Sequence, residues 1–443
     1  MRVPAILVAM AAAFISLPAW GATPCAVGAY RLPDGEVIDI GATDGADLRW
    51  RRFDGASGGL HQAADGHWTS LFGWTDRPDG KIVDLSRCAA GDILFDGRPG
   101  RRIAFDVTET TFSGKGVSLA GRLVLPKGKG RVPIVVLVHG AEFSSARDMY
   151  ALQRLLPAEG VGVFVYDKRG TGQSGGKYSQ DFQLLADDAA AAMGEARRLA
   201  GGRAGRVGCQ GGSQGGWVVP LATLRAPADF AIVSFGLAVS VIDEDQQEIA
   251  LEMKLKGHGP EEIAKALEVG QAAEAVAESG FTSGFAAFDA VRAKYRDQPW
   301  YKDVHGNFTH MLLPRNEAEL RDLGKVLNWG TPWRYDPMPT LSAVRTPELW
   351  ILGSDDLEAP SAETSQRIAG LIAAGRPFTL AMFPGAEHGM TEYEIDSRGE
   401  RVSTRFAPGY FAMMRDFART GTLAAAYGQA AITRAPASAP AVR

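Results

Sequence analysis

The sequence contains few of the residues that bind metal ions or form cross-links, with three cysteines and seven histidines among 443 residues. No pair of these residues has the short spacing that is typical of a zinc site. No glycine cluster is followed by the Lys-Ser or Lys-Thr pair of a phosphate-binding loop, and none forms a clear dinucleotide-binding pattern. We therefore expect the protein to work without a metal ion or an organic cofactor.

An excess of charge of one sign is also lacking, since 47 lysines and arginines are balanced by 51 aspartates and glutamates, for a net charge of −4. A balance of this kind gives no indication of a broad basic surface for nucleic acid or for acidic membranes. Hydrophobic residues make up 46% of the chain, which is ample for more than one domain core. We expect a small-molecule or short-peptide substrate and no nucleic-acid partner.

A long apolar run occurs only at the start of the chain. Arg2 precedes an apolar segment, residues 6–17, that is short for a bilayer span, and Pro18 ends it. Small residues then allow cleavage after Gly21 or Ala22. Residues 1–22 are therefore predicted to be a signal peptide, with an uncleaved membrane anchor as the alternative. We expect a periplasmic or secreted protein that is not stably inserted in a membrane after signal removal.

The three cysteines are consistent with export. Cys25 and Cys88 could pair in an oxidising compartment, and two free thiols are the alternative. Cys209 lies in an apolar segment, where a cysteine behaves as a small buried hydrophobic residue.

Residues 23–107 show the turn pattern of an all-β domain. Asp-Gly pairs recur at 34–35, 44–45, 54–55, 65–66 and 79–80, with short β-rich runs between them. Turn signals at this spacing predict a small antiparallel sheet or barrel. No group of residues in this segment suggests catalysis.

From residue 108 onward, apolar β-branched runs alternate with helical patterns. Such unbroken apolar strands between helices predict an α/β fold whose mostly parallel sheet is covered on both faces. Residues 237–340 interrupt the alternation with helices and several tryptophans, and are predicted to form a cap above the sheet. The predicted core therefore comprises residues 108–236 and 341–420, followed by a flexible tail, residues 421–443.

A candidate nucleophile comes from the pattern Gly-x-Ser-x-Gly, which occurs around Ser57, Ser174 and Ser213. The pattern arises easily by chance in a chain with 53 glycines, so its context must decide. A nucleophile elbow needs a strand directly before it, a helix directly after it, and glycines beside a serine with a strained backbone. Only Ser213 meets these conditions, with an apolar strand at residues 207–209 and a helical pattern at residues 217–222.

A candidate base follows from the need to remove the serine proton. His388 lies in a loop directly after the last apolar core run, residues 378–383. Loops at the carboxyl ends of parallel strands are where catalytic groups collect in this architecture. His139 ends another buried strand and is predicted to be structural.

A base of this kind needs a carboxylate that holds its tautomer and stabilises its charged form. Asp355, Asp356 and Glu358 follow the apolar run at residues 349–352, and all three compete for this role. The chain order Ser, Asp, His is the one expected for a nucleophile on a strand–helix elbow of this type.

A tetrahedral oxyanion needs two backbone N–H donors. One is predicted at Gln214, the residue after the nucleophile. The other is predicted in the loop after Val138, at Ala141 or, as a weaker alternative, at Glu142.

Three segments resemble bacterial α/β-hydrolases of the esterase and serine-aminopeptidase-like group. They are His139-Gly140, the Asp-x-Arg-Gly-x-Gly-x-Ser loop at residues 167–174, and the Gly-Gly-Ser-Gln-Gly-Gly run at residues 211–216. The resemblance covers roughly residues 110–420 and implies an α/β-hydrolase fold with a helical cap insertion. It does not explain the small N-terminal β-rich domain.

The resemblance also bears on individual residues. In this family the loop that contains Ser174 is structural, which accounts for the extra glycine-serine-glycine match. The acid loop resembles Gly-x-x-Asp-x-x-x-Pro, and Gly353 and Pro360 in that pattern select Asp356 as the acid. The triad implied in this way is Ser213, Asp356 and His388.

The leading functional hypothesis is carboxylic-ester hydrolysis through an acyl-enzyme. Aminopeptidase or amidase action on short peptides is the alternative, and would need an acidic group for the substrate amine, for which four residues qualify: Glu142, Asp243, Glu244 and Asp245. Thioester cleavage is less expected outside the cytoplasm. A non-catalytic envelope binding protein that retains the fold is the alternative from a different class.

Overall fold

The computed structural model describes residues 24–64 and 66–435, so the predicted signal peptide lies outside the described residues. An N-terminal closed β-barrel is followed by an α/β domain built on a nine-stranded sheet. Within the described ranges, no helix combines the length and the hydropathy that a bilayer crossing requires.

The β-rich segment forms a closed antiparallel barrel of eight strands, as one of the two predicted arrangements. The Asp-Gly pairs at 34–35, 44–45 and 54–55 connect successive strands, whereas the pair at 79–80 lies inside a strand. The barrel is filled by large side chains such as Trp50 and Phe95, whose ring centroids are 5.2 Å apart. Its strands are β1 (Gly28–Arg31), β2 (Val37–Ala42), β3 (Leu48–Arg52), β4 (Ser57–Gln62), β5 (Trp68–Leu71), β6 (Pro78–Asp84), β7 (Asp92–Phe95) and β8 (Arg98–Arg102).

The cysteine pairing that the sequence leaves open is present, because a disulfide joins Cys25 to Cys88 across a sequence separation of 63 residues. It connects the entry of the barrel to the segment between β6 and β7. A cross-link that closes a loop of this length restricts the unfolded chain and so stabilises the folded barrel. Cys209 is buried and free.

The α/β domain has six parallel strands at its centre and antiparallel strands at both edges, which confirms the mostly parallel sheet. The first strand begins at Phe105, slightly before the predicted domain boundary at residue 108. The strands up to the acid and base loops are β9 (Phe105–Ser113), β10 (Ser118–Pro126), β11 (Val132–Val138), β12 (Gly162–Tyr166), β13 (Ala204–Gly212), β14 (Ala231–Ser234), β15 (Glu348–Gly353) and β16 (Phe378–Phe383).

Helices cover both faces of this sheet. Asp181 caps one of them by accepting hydrogen bonds from the N–H groups of residues 183 and 184. The helices before the insertion are α1 (Ala146–Met149), α2 (Leu152–Ala158), α3 (Phe182–Ala200) and α4 (Gly215–Thr223).

The insertion between β14 and β15 is helical, as predicted. Ser240 and Asp243 form a reciprocal capping box at its first helix, which fixes where that helix begins. Its helices are α5 (Val241–Leu255), α6 (Pro260–Glu278), α7 (Phe285–Tyr295), α8 (Thr309–Leu312) and α9 (Glu317–Leu327). Two further helices, α10 (Met338–Ala343) and α11 (Ser361–Ala373), flank the next strand.

A hairpin that the sequence does not predict follows the base loop, with strands β17 (Thr391–Ile395) and β18 (Arg401–Phe406). It contacts the barrel: the Trp74 N–H donates to the Ser403 carbonyl at 2.8 Å, and the Phe406 N–H donates to the Gly55 carbonyl at 2.9 Å. The base loop is thus connected directly to an element that packs on the N-terminal domain.

The predicted flexible tail contains an ordered strand. After α12 (Tyr410–Thr420), strand β19 (Ala431–Arg434) pairs antiparallel with β16 and completes the nine-stranded sheet. The Ala- and Pro-rich composition of this segment predicts disorder. The strand is ordered because its backbone hydrogen-bonds to the open edge of the sheet, a long-range contact that composition does not predict.

Candidate active site

The elbow at Ser213 has the geometry that its sequence predicts. Ser213 lies between the end of β13 and the start of α4, and its φ angle is +52°. This left-handed conformation is strained for a residue with a side chain. Glycines make the close packing possible, because a Cβ on Gly216 would lie 2.7 Å from the Gly236 Cα and one on Gly211 would lie 2.9 Å from the Gly215 Cα.

The two other serines of the repeated pattern have structural contacts. The Ser57 hydroxyl, in the barrel, donates to the Trp50 carbonyl at 3.0 Å. The Ser174 hydroxyl donates to the Asp167 carbonyl at 2.6 Å and accepts from the Ala120 N–H at 2.9 Å. The Ser57 hydroxyl thus joins two barrel strands, and the Ser174 hydroxyl fixes its loop, which agrees with the structural role implied for that loop.

The acid and base loops meet at the carboxyl ends of β15 and β16. His388 Nδ1 lies 3.0 Å from Asp356 Oδ2 and 3.2 Å from Asp356 Oδ1. The Asp356 carboxylate is almost fully buried and also accepts from the Ala359 N–H at 2.8 Å. A buried carboxylate held in this way fixes the ring orientation and places the proton on Nδ1, so that Nε2 is the basic nitrogen.

The two competing acids occupy different positions. Asp355 accepts hydrogen bonds from the Tyr393 hydroxyl at 2.9 Å and from the Ser354 hydroxyl at 2.6 Å. Glu358 Oε1 lies 3.7 Å from His388 Nε2, on the opposite side of the ring from Asp356. The structure therefore brings Asp356 and Glu358 to the imidazole and directs Asp355 toward the hairpin.

The charge around His388 shifts its titration. Burial alone would lower the pKa of His388, but the carboxylates of Glu358, Asp356 and Glu244 outweigh burial and raise the pKa to about 10. The imidazolium is thus strongly stabilised by these neighbouring carboxylates. The ring also packs edge-on against Phe235, with centroids 4.8 Å apart.

Ser213 and His388 line one cavity of about 590 Å³. Within residues 24–64 and 66–435, no hydrogen bond to the Ser213 hydroxyl is present, and its N–H donates to the Ser234 carbonyl at 3.1 Å. Catalytic hydrogen bonds are often long in substrate-free structures and shorten when substrate binds.

The predicted oxyanion donors lie beside the nucleophile. Ala141 and Gln214 line the same space as Ser213, and neither N–H donates to another described residue. The loop that contains Ala141 is held in place, because Lys168 Nζ donates to the Gly140 carbonyl at 2.7 Å and the Tyr178 hydroxyl donates to the Ala141 carbonyl. His139 is buried at the base of this loop, where its Nε2 accepts from the Lys168 N–H at 3.0 Å, which fits a structural role.

Two hollows meet at Ser213. The smaller one, about 110 Å³, lies under the cap and is called here the cap-side pocket. It reaches from Ser213 to Glu244, and six aromatic residues line it: Phe182, Trp217, Phe281, Phe308, Trp329 and Trp333.

The larger hollow, the 590 Å³ barrel-side cavity, extends from Ser213 and His388 toward the N-terminal domain. Its wall is mostly apolar, with Met149, Leu152 and Phe411 among its residues, and the barrel contributes Arg51. Glu358 borders both hollows.

The acidic residues considered for amine binding have different roles. Asp243 belongs to the capping box of α5, and Asp245 accepts from the N–H groups of Phe308 and Thr309 and from the Thr309 hydroxyl. Glu142 accepts from the Tyr150 hydroxyl. Each of these three carboxylates already accepts hydrogen bonds from neighbouring residues of the protein.

Glu244 differs from the other three. It is only 4% exposed, it lines the cap-side pocket, and no hydrogen bond from the described part of the chain reaches its carboxyl. Burial, and then the negative charge of Glu358, raise the pKa of Glu244 well above its usual range, against the opposing effect of His388. A buried carboxyl in this state gains most from a cationic partner.

One cluster in the cap has donors suited to a cation. Glu248, Glu252 and His305 each offer an atom within 4.8 Å of the others. His305 Nδ1 lies 3.0 Å from Glu248 Oε1, so the cluster is also explained as an ion pair within the cap. It lines neither hollow at Ser213.

Sequence reasoning missed Arg51 and gave Glu244 no special weight. Arg51 lies on a barrel strand without a catalytic motif, and only the packing of two domains brings it to the cavity. Glu244 lies in the first turn of α5, where acidic residues are also common on helices that are exposed to solvent. Burial next to Ser213, which the sequence does not reveal, is what distinguishes it.

Comparisons with known proteins agree with this architecture. Residues 131–304 match the family described as serine aminopeptidase, S33. The matched segment contains Ser213 and most of the cap but ends before Asp356 and His388. No curated protein matches the sequence.

Several solved structures are similar at low identity. An acylaminoacyl peptidase from Pyrococcus horikoshii is 15% identical with a TM-score of 0.41, over 86% of this chain and 55% of that chain. A puromycin-hydrolyzing peptidase from Mycobacterium tuberculosis is 17% identical with a TM-score of 0.40, over 82% and 50%. The chain thus spans about half the length of these two peptidases.

An esterase from Pyrococcus furiosus is 14% identical with a TM-score of 0.41, over 64% of this chain and 83% of that chain. Similarity at this level carries no information about substrate. The strand order of the sheet and the strained elbow serine are those of an α/β-hydrolase fold, and the family match over residues 131–304 supports its esterase and serine-aminopeptidase-like group.

Proposed function

We propose that the protein hydrolyses carboxylic esters through an acyl-enzyme on Ser213, with His388 as general base and Asp356 as the acid that orients it. The observation that carries this proposal is that His388, paired through Nδ1 with Asp356, lines the same cavity as the elbow serine. That arrangement leaves Nε2 as the basic nitrogen on the side where substrate binds.

The reaction follows from these positions. The Ser213 hydroxyl attacks the acyl carbon while His388 Nε2 takes its proton. The N–H groups of Ala141 and Gln214 stabilise the negative oxygen of the tetrahedral intermediate. His388 then gives the proton to the leaving alcohol, and a water molecule releases the acyl group by the same steps in reverse order.

The test is the Ser213→Ala variant, assayed with p-nitrophenyl esters of graded chain length and with a fluorophosphonate probe. We expect kcat to fall by about 10³- to 10⁶-fold, because the remaining groups act as a unit with the serine, and we expect probe labelling to disappear. Ser57→Ala, which changes another serine of the same pattern, should keep activity and labelling. Full activity of a folded Ser213→Ala protein would refute the proposal, and a parent protein that neither labels nor turns over would favour a binding protein.

Aminopeptidase action on short peptides is a second candidate, and Glu244 is the observation that favours it. Its buried carboxyl lines the cap-side pocket with Ser213 and has no hydrogen-bond partner in the described chain. A substrate ammonium group would supply the missing opposite charge. The acyl part of the substrate would then be an amino acid with a free amine.

Aminoacyl p-nitroanilides with a free amine, compared with their N-acetyl forms, separate the two candidates. If Glu244 binds the amine, the free-amine substrate should be preferred, and Glu244→Gln should reduce that preference by about tenfold or more. Glu261→Gln, on the exposed surface of the cap, is the matched control. Ester turnover that exceeds amide turnover, with no preference for the free amine, leaves ester hydrolysis as the function.

A further inference from the structure

The barrel-side cavity has a single basic residue from the N-terminal domain in its wall, Arg51 of strand β3. Its side chain is 14% exposed. In the part of the chain that the structure describes, the buried Nη1 atom of this guanidinium has no hydrogen-bond partner. Because this atom is shielded by the fold, a ligand in the cavity would contact the exposed part of the Arg51 side chain and not Nη1 itself.

The charge around Arg51 is not balanced by the fold. Its nearest acid is Asp39 of β2, whose Oδ2 lies 3.5 Å from Arg51 Nη1. The same fully buried carboxylate is hydrogen-bonded by Arg154 of α2, through Nε and through Nη2 at 3.3 Å. Two guanidinium groups therefore share one carboxylate, which leaves one positive charge in excess at this end of the cavity.

Two acidic residues lie on other parts of the cavity wall, Glu142 and Glu358, and neither is paired with Arg51. Glu358 lies beside the imidazole, with its Oε1 3.7 Å from His388 Nε2. Glu142 accepts from the Tyr150 hydroxyl, and its Oε1 lies 3.1 Å from His139 Nδ1. Although burial opposes ionisation, His139, Lys168 and Tyr150 lower the pKa of Glu142 to about 2. The charge of Glu142 is thus compensated by its own neighbours.

The position of His388 indicates which part of a substrate would reach Arg51. The base lines the barrel-side cavity and is absent from the lining of the cap-side pocket. Because the protonated base must deliver its proton to the leaving atom, the leaving group has to lie on the side of His388. The acyl group then occupies the cap-side pocket, and the leaving group extends toward the barrel.

We infer that the preferred substrates carry a carboxylate on the leaving group, and that Arg51 binds it. The inference rests on the proposed function, because it uses Ser213 and His388 to set the direction of the substrate. A cavity of about 590 Å³ accommodates a leaving group of the size of one or two amino acids or of an aromatic hydroxy acid. The N-terminal barrel is then part of the substrate-binding site.

The test uses two butyrate esters that differ at the para group, a carboxylate in 4-carboxyphenyl butyrate and a neutral methyl ester in 4-(methoxycarbonyl)phenyl butyrate, and release of butyrate is measured for both. Each kcat/KM is divided by the rate of alkaline hydrolysis of the same ester, which removes the difference in leaving-group reactivity. The parent protein should prefer the carboxylate ester by about tenfold or more, which is what one charge-assisted hydrogen bond contributes. A corrected ratio near one would overturn the inference.

Variants assign the preference to Arg51. Arg51→Met should lower kcat/KM for the carboxylate ester by about tenfold more than for the methyl ester, and Arg51→Lys should restore part of the preference. The matched control is Arg49→Met on the same strand, because Arg49 donates to the Gly73 carbonyl at 2.7 Å and does not line the cavity. An equal loss for both esters in Arg51→Met would contradict the assignment.

A measurement on the unmodified protein covers the case in which Arg51→Met does not fold. The product 4-hydroxybenzoate should inhibit competitively at a concentration about tenfold lower than methyl 4-hydroxybenzoate. Equal inhibition by the two compounds would count against an anion-binding wall.

The outcomes separate this inference from the proposed function. Hydrolysis that needs Ser213 but shows no carboxylate preference refutes the inference and leaves the function in place. Hydrolysis that survives Ser213→Ala refutes both. The same comparison for amide substrates uses alanyl-glycine, which has a free carboxylate, and alanyl-glycinamide, which does not. A carboxylate preference found only with these amides indicates that the natural leaving group is an amino acid or peptide. A preference found only with the esters indicates a hydroxy acid.

Discussion

The cap-side pocket and the barrel-side cavity begin at the same serine but differ in size, charge and origin. The pocket is small, lined by aromatic rings from the cap and the core, and acidic at Glu244. The cavity is about five times larger, mostly apolar, and has in its wall Arg51, which shares the Asp39 carboxylate with Arg154. The proposed reaction takes place where the two hollows meet, at Ser213.

Under the proposed function, this difference separates catalysis at Ser213 from substrate selection in the two hollows. The elbow and the two loops that follow β15 and β16 belong to the common sheet architecture, whereas each hollow is closed by an element added to it. The cap shapes one side and the barrel shapes the other. Substitutions at the junction should therefore affect all substrates, and substitutions in one hollow should affect only one end of the substrate.

The largest effect is expected at the junction. Asp356→Asn would retain a hydrogen-bonding side chain but lose the charge that stabilises the imidazolium and fixes the ring tautomer. We expect kcat to fall by about 10³- to 10⁴-fold for every substrate, whichever hollow it fills. Steady-state kinetics with short-chain and long-chain esters tests this, and Asp355→Asn, whose carboxylate is bonded to Tyr393, should lose far less. A substrate-dependent loss in Asp356→Asn would contradict the separation of roles.

An intermediate effect is expected at Glu358, which borders both hollows. Because its carboxylate helps to raise the pKa of His388 to about 10, the neutral base should be scarce at pH 7, and kcat/KM should rise with pH well above neutrality. In Glu358→Gln the imidazolium loses one stabilising charge, so the rising limb of the pH profile should move to lower pH by about one pH unit. An unchanged limb in this variant, with Glu394→Gln as control at a half-exposed carboxylate paired with Arg77, would show that Glu358 does not act on the base.

The smallest effect is expected inside the cap-side pocket. Trp329 packs there against Phe143 and Tyr178, with ring centroids 4.9 Å and 5.0 Å apart. Trp329→Ala should widen the pocket and change the ratio of kcat/KM between long and short acyl chains by about fivefold, as expected for partial loss of an apolar contact. The preference for charged leaving groups should not change. A variant with altered leaving-group preference and unaltered acyl preference would reverse the assignment of the two hollows; Val326→Ala on exposed α9 is the control.

Much of the fold is readable from the sequence because it depends on local pattern. Apolar β-branched runs between helical segments predict the parallel sheet, and regular turn pairs predict the barrel. The hairpin of β17 and β18 and the edge strand β19 were not predicted. Their stability comes from partners far away in the chain, such as the Trp74 and Gly55 backbones and strand β16, which a local pattern cannot show.

In the candidate site, too, some residues could be predicted from the sequence and others could not. Ser213 and His388 follow from a motif and from their positions after core strands, and the family resemblance selects Asp356 among three neighbouring acids. The structure brings Asp356 to His388 and turns Asp355 away. Arg51 could not be found in this way, because its place in the wall depends on how the barrel packs against α2.

The hairpin has a consequence for any attempt to shorten the protein. It starts three residues after His388, and two main-chain positions of its second strand, Ser403 and Phe406, are hydrogen-bonded to the barrel. Excising the N-terminal domain would leave these groups without their partners and would loosen the segment that carries the imidazole. Under the proposed function, the minimal catalytic unit therefore extends beyond the matched segment, residues 131–304, and includes the N-terminal domain.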